Sequence, residues 1–288
     1  MNPTDEDERS PAEEAWAEEE ESAPGPEDEL IDQAWDKLDL GDAQAALATL
    51  LQVDADWPER WIPEALARLE LGELAAARAV LLQAADFEGM ADHPDFLWAE
   101  GRVLLGEWRF SEARERFEHL LQIETSTGVL ERLSLCHEME GDFESADLRF
   151  AQAAALDPSF QAPSRLSSEE FERVLGQAID ALPKDFQREL EHCEVLVDAV
   201  PSPWMCDPRD PAVTPPELLG LFLGASQLEH AAEESGELGP RIFLFQRNLE
   251  RAAPDEAHLR EEIRVTLYHE LGHRLGFDEE GVAQMGLE

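Results

Sequence analysis

The sequence predicts an α+β chain: an N-terminal all-α solenoid of paired helices, then a small α+β module. Three observations carry this. A glycine–acid step followed by an alanine-rich amphipathic stretch recurs four times before Pro158. Beyond it the hydrophobic pattern shifts to short β-prone runs. The last amphipathic stretch then sets two histidines one helical turn apart around a glutamate. The expected divisions are an acidic tail over 1–29, helical repeats over 30–160 and the α+β module over 161–288.

Acidity dominates the composition. The formal net charge is -44 over 288 residues. It is spread throughout, since residues 1–30 hold 13 acids and one base while 161–288 hold 26 acids and 11 bases. Such a field repels phosphate backbones and anionic lipid surfaces, which argues against nucleic acid and membranes as partners. It favours solubility and would attract basic proteins or peptides. Residues 1–29 combine clustered acids with four prolines and few large apolar side chains, a composition that predicts disorder. Neither a basic-then-apolar leader nor an apolar run of about 18 residues is present, so a cytoplasmic chain is expected. Cys136, Cys193 and Cys206 are odd in number and scattered, with no CxxC pair. Reduced thiols fit better than a disulfide framework or a cysteine zinc site.

Within the first half, Gly41-Asp42, Gly72-Glu73, Gly106-Glu107 and Gly141-Asp142 each precede an amphipathic stretch. Ala46, Ala77, Ala113 and Ala146 hold one place in each unit, at spacings of 31, 36 and 33 residues. Periods of this size mark paired-helix solenoids. A small residue there lets the second helix of a pair press on the first, and glycine supplies the turn between them. Four positions on, Leu50, Leu81, Phe117 and Phe150 provide bulk. Gly141-Asp-Phe-Glu-Ser-Ala146…Phe150…Ala153…Leu156-Asp-Pro158 closely resembles a tetratricopeptide (TPR) repeat, and Pro58 of the first unit is in register. The third unit has its glycine displaced. The resemblance implies a groove for peptides or protein partners, unless so short a stack only braces its neighbour.

A polar link over 159–168 follows. Ser167-Ser168-Glu169-Glu170 reads as a capping box opening a helix over about 168–181. Its inner face is Phe171, Val174, Leu175, Ala178 and Ile179, and Leu182-Pro183 stops it. Three strand candidates come next: the run holding Val195, Val197 and Val200, then Leu218–Gly224, then Arg241–Gln246. Loops rich in Pro, Gly and Asp separate them. A final helix over about 255–275 is expected, with Leu259, Ile263, Thr266, Leu267 and Leu271 facing inward.

That helix carries His269-Glu270-Leu271-Gly272-His273. Residues four apart on a helix lie about 40° apart in azimuth and about 6 Å apart in rise, so both imidazoles can reach one ion. Glu270 sits about 100° round from His269, placed to touch the attacking water without binding metal. These residue types in this order point to zinc, with His269 and His273 as ligands and Glu270 as catalytic general base. With 8 histidines and 66 acids in the chain, chance supplies such a pentad ~0.05 times per shuffled sequence, so the signal is specific.

A catalytic zinc commonly takes three protein ligands. Fifteen residues follow His273, too few for a ligand from a distant downstream helix. His258 lies about 16 Å back along the same helix, out of reach. Gly276 can take a positive φ and reverse the chain, which leaves Asp278 and Glu279, with Glu280 next. The third-ligand place of HExxHxxGxxH/D proteases falls ten residues after the first histidine, at Glu279, with Asp278 the close competitor. Oxyanion stabilisers are scarce. Tyr268 points about 100° away from His269, and His230 is the other candidate. Met285 invites comparison with a methionine turn, and Cys206 with an inhibitory thiolate.

Residues 169–288 resemble the minimal zincin-like metallopeptidase family of bacteria. The matching residues are Phe171…Ala178…Leu182-Pro183, Val195–Val197, Leu218-Leu219-Gly220-Leu221-Phe222-Leu223-Gly224, Ile242–Phe245, and His269-Glu-Leu-Gly-His273-Arg-Leu-Gly276-Phe-Asp278-Glu279. The resemblance implies helices on a small sheet with zinc near its edge, and aspartate at the third-ligand place where this chain has Glu279. Two functions follow. One is a zinc metallopeptidase whose repeats recruit a protein or peptide. The other is a non-catalytic TPR-type scaffold in which a structural zinc pins the last helix.

Overall fold

The computed structural model describes residues 25–87, 89–206, 214–224 and 239–277. It is a mixed α+β chain in which twelve α-helices and one three-stranded sheet lie among the described residues. None of those helices is long and apolar enough to cross a membrane.

Eight helices come first. They are α1 (Pro26–Asp39), α2 (Ala43–Leu50), α3 (Pro58–Glu70), α4 (Leu74–Ala84), α5 (Pro94–Gly106), α6 (Phe110–Ile123), α7 (Thr127–Glu140) and α8 (Phe143–Leu156). They pack as hairpins, α1 on α2 through α7 on α8. Ala46, Ala77, Ala113 and Ala146 are fully buried, and Leu50, Leu81, Phe117 and Phe150 are buried one turn later. Gly41, Gly72 and Gly141 end the first helix of their pairs at φ of 76°, 73° and 81°. Beyond each, the N–H of Asp42, Glu73 or Asp142 bonds back to the carbonyl of Lys37, Arg68 or His137. This is the Schellman closure, which needs a left-handed residue.

The third pair differs from the expected alignment. Its left-handed residue is Trp108, at φ 59°, five positions before Ala113 as in the other units. Gly106 serves packing instead: a Cβ there would meet Leu74 Cδ1 at 2.9 Å. The turn therefore carries a strain of about 1–2 kcal/mol that glycine would remove. A second correction concerns the tail. Residues 26–29, inside the stretch expected to be disordered, form the first turn of α1. Proline at a first helical position and acids at the positive end of the helix dipole favour that turn, whatever the net charge.

The rest of the chain comprises α9 (Ser168–Ala181), α10 (Lys184–Leu190), β1 (Glu194–Asp198), β2 (Gly220–Leu223), β3 (Arg241–Phe245), α11 (Gln246–Ala252) and α12 (Glu256–Leu275). The expected capping box closes at Ser167 and Glu170. Strand order is β1-β3-β2, with β1 parallel and β2 antiparallel to β3. Central β3 is buried from Ile242 to Phe245, which explains its unbroken apolar run. One core unites Phe171, Val174 and Leu175 of α9, Ile242 and Leu244 of β3, Leu249 of α11, and Leu259, Ile263, Leu267 and Leu271 of α12.

A knot of charge joins this core to the helix pairs. The Glu138 carboxylate on α7 is fully buried and accepts hydrogen bonds from Arg165 and Arg251, with Arg247 at 3.7 Å. Asp147 on α8 pairs with Arg165 at 3.0 Å and Arg247 at 2.6 Å, and Glu250 on α11 pairs with Arg165 at 3.0 Å. Beside the knot lies a cleft of about 910 Å³. The first helices of three pairs line it through Leu69, Arg102, Leu135 and their neighbours, and residues 214–219 with α11 close the far side.

Removing one partner of a buried ion cluster strands the others without compensation. Glu138→Gln should therefore lower unfolding free energy by ~3 kcal/mol, measured by denaturant titration. Leu156→Ala, at a half-exposed site of α8, should change it by less than ~1 kcal/mol.

Candidate metal centre

Helix α12 positions the site. Asp255 caps it by accepting the N–H groups of Ala257 and His258, each at 2.9 Å. Its last turn closes at Gly276, at φ 93°, where the Phe277 N–H bonds the Gly272 carbonyl at 3.1 Å. This is the Schellman closure of the repeat turns used again, at the end of the helix that carries both histidines.

The two expected histidines converge. His269 Nε2 and His273 Nε2 are 3.0 Å apart, with ring centroids at 4.7 Å and ring planes at 78°. Phe277, brought back by the Gly276 turn, sets its carbonyl oxygen 3.1 Å from His273 Nδ1. A carbonyl only accepts, so His273 donates from Nδ1–H and keeps a lone pair on Nε2. That is the tautomer a metal ligand needs, held by a hydrogen bond behind the ring. The nitrogen separation is within a few tenths of an ångström of the ~3.3 Å that separates two ligands on a tetrahedral zinc with bonds of about 2.0–2.1 Å. The donor set thus fits zinc. Both imidazoles are half-buried, open enough to take up an ion.

Glu270 is buried, on the α12 face that packs against β2. The close approach of Gly220, the first residue of β2, brings the strand against the Glu270 side chain. Glu270, the expected general base, stands beside the sheet, one residue from His269 and on a different azimuth.

Asp278 and Glu279, the expected further ligands, lie outside the described residues, as do His230 and Met285. Among the described residues no group of three or more His, Cys, Asp or Glu side chains could hold an ion. Other expectations are located. Tyr268 packs on Phe186, with ring centroids at 5.2 Å, and lies under the Arg264 guanidinium at 5.6 Å. Its ring serves the core. Cys206 is buried, and burial pushes its thiol above the ordinary range, which works against a thiolate ligand. His258 pairs with Asp255 at the far end of the helix.

The structure thus sets convergent imidazoles and a buried glutamate on one helix packed on a small mixed sheet. Residues 190–287 match the model of the family described as zincin-like metallopeptidases. No curated protein matches the chain.

Replacing His273 with Ala removes one of the two expected ligands and the bond to Phe277 together. Elemental analysis of that variant should show zinc falling from about one per chain to near zero, with a lower melting temperature, since metal affinity here is also folding energy.

Proposed function

We propose that this protein is a zinc-dependent peptidase and that its helical half, a TPR-type array, presents a protein or peptide to the metal. The observation that carries the reading is the pair of imidazole nitrogens 3.0 Å apart beside a buried glutamate. His269 and His273 hold the ion, and Glu279 or Asp278 completes its protein ligands. When bound, zinc supplies a Lewis acid that lowers the pKa of water and polarises a carbonyl. Glu270 takes a proton from the attacking water as the water oxygen bonds to the peptide carbon. It gives that proton to the amine when the C–N bond breaks.

The sheet offers a route for the substrate. Among the described residues β2 is an edge strand, so its outer backbone groups are open to pairing with an extended peptide. Such a peptide would run past Gly220 and therefore past Glu270. The net charge of -44 favours basic segments by raising their local concentration.

Glu270→Gln should keep about one zinc per chain and lose cleavage by ~10³-fold, the scale of general-base catalysis. The check is a quenched-fluorescent peptide library digest alongside elemental analysis. Cleavage at the wild-type rate would remove Glu270 from the mechanism. One zinc per chain with no cleavage by the wild-type protein would point to the structural-zinc scaffold.

A further inference from the structure

Gly220 is buried and begins β2, and its φ is not in the left-handed region. Backbone conformation therefore does not demand glycine there. Space does. A Cβ at this position would lie 2.6 Å from Thr266 Cγ2 and 3.1 Å from both Cγ and Oε1 of Glu270. Real Cβ atoms do not come as close as 2.6 Å, and 3.1 Å is tighter than nearly all their contacts, so a neighbour would have to give by a few tenths of an ångström; the strand rests on the helix at the turn that carries Glu270.

Neither backbone is free to retreat. Asn248 Nδ2 donates to the carbonyls of Pro215 and Leu218 at 2.8 and 2.7 Å, and Arg251 donates to that of Pro216. The Phe245 N–H bonds the Leu219 carbonyl at 2.9 Å. On the other side, Ile263, Leu267 and Leu271 anchor α12 in the core. Thr266 is branched at Cβ and stiff at χ1. The Glu270 side chain, with two methylenes, is the softest element in the contact.

We propose that Gly220 is a positioning residue for Glu270. Its missing side chain lets β2 close on α12 and sets where the Glu270 carboxylate stands relative to the two imidazoles. The proposal rests on the peptidase reading above. It adds a determinant that lies some fifty residues away in sequence and binds neither metal nor water.

The test uses the full-length protein with Gly220→Ala alone and paired with Thr266→Ser. The serine removes the methyl that causes the 2.6 Å contact and leaves the two 3.1 Å contacts to Glu270. The double variant should regain the wild-type melting temperature and about one zinc per chain. Its kcat should stay roughly 10–100-fold low, the scale of a small misplacement of a catalytic group, with little change in KM. Cobalt in place of zinc gives a readout free of turnover. Adding Gly220→Ala and Thr266→Ser should shift the visible cobalt spectrum when Glu270 is present and leave it unchanged in a Glu270→Ala background, where both contacted atoms are gone. Full recovery of kcat in the double variant would make Gly220 a packing residue only and overturn the proposal. So would an equal cobalt shift in both backgrounds. Should the wild-type protein hold one zinc per chain and cleave no peptide, the peptidase reading fails first, and that outcome is separable from the other two.

Discussion

Leu259, Ile263, Leu267 and Leu271 form one stripe of α12, and none is more than 1 % exposed. Each buried side chain of this size contributes about 1.5–3 kcal/mol, so the stripe fixes the rotation of the helix about its own axis. The chemistry follows from that rotation. Thr266 and Glu270 sit at the edge of the stripe and turn toward β2. His269 and His273, about 100° back from Glu270 and its turn-mate, stand at the margin of the buried face, where an ion can enter. A slip of the helix by one residue would carry His269 and His273 into the buried places now held by Glu270 and Arg274. The apolar core thus decides which of these side chains stand at the open margin of the helix and which is buried against β2.

Much of this could be read from sequence because it depends on local periodicity. The alanines, the bulky residue after each, the Ser167–Glu170 cap and the inner face of α12 all stand where their spacing requires. What escaped has a physical reason. Helices α10 and α11 have seven residues each, under two turns, too few to show a period. The real turn residue of the third repeat is Trp108, because the fold tolerates strain there and the nearby Gly106 is committed to packing on Leu74. Gly220 could be read only as one residue inside the Leu218–Gly224 run, since its importance lies in a contact with a residue fifty positions on. The tautomer of His273 was also hidden, being set by a backbone carbonyl that depends on the Gly276 turn. The candidate ligands after Gly276, Asp278 and Glu279, rest on spacing alone.

Charge plays a different role inside the molecule from the one composition implies. The chain carries three acids for every base, a balance that repels itself. Yet three arginines gather around Glu138, Asp147 and Glu250, where the helix pairs meet the zincin-like part. Burial pulls the Arg251 pKa down and the Glu138 carboxylate works against that shift. A scarce positive charge is thus placed where it can neutralise Glu138 and Glu250, which are buried away from water. Buried clusters of this kind add little net stability over apolar packing but discriminate strongly against misaligned alternatives. The arrangement favours one relative placement of the two halves.

That placement bears on the metal centre through a short path. Arg251 bonds Glu138 of the array with one arm and the Pro216 carbonyl with the other. Its neighbour Asn248, almost fully buried, holds Pro215 and Leu218. Two residues after Leu218 the chain becomes β2 at Gly220, against Glu270. The segment that closes the cleft on the array is thus the segment that leads into β2. A side chain entering the cleft would meet residues 214–219 together with Asn248 and Arg251 of α11. The helix pairs and the Glu270 face of α12 are therefore linked by a short stretch of chain and four side-chain hydrogen bonds.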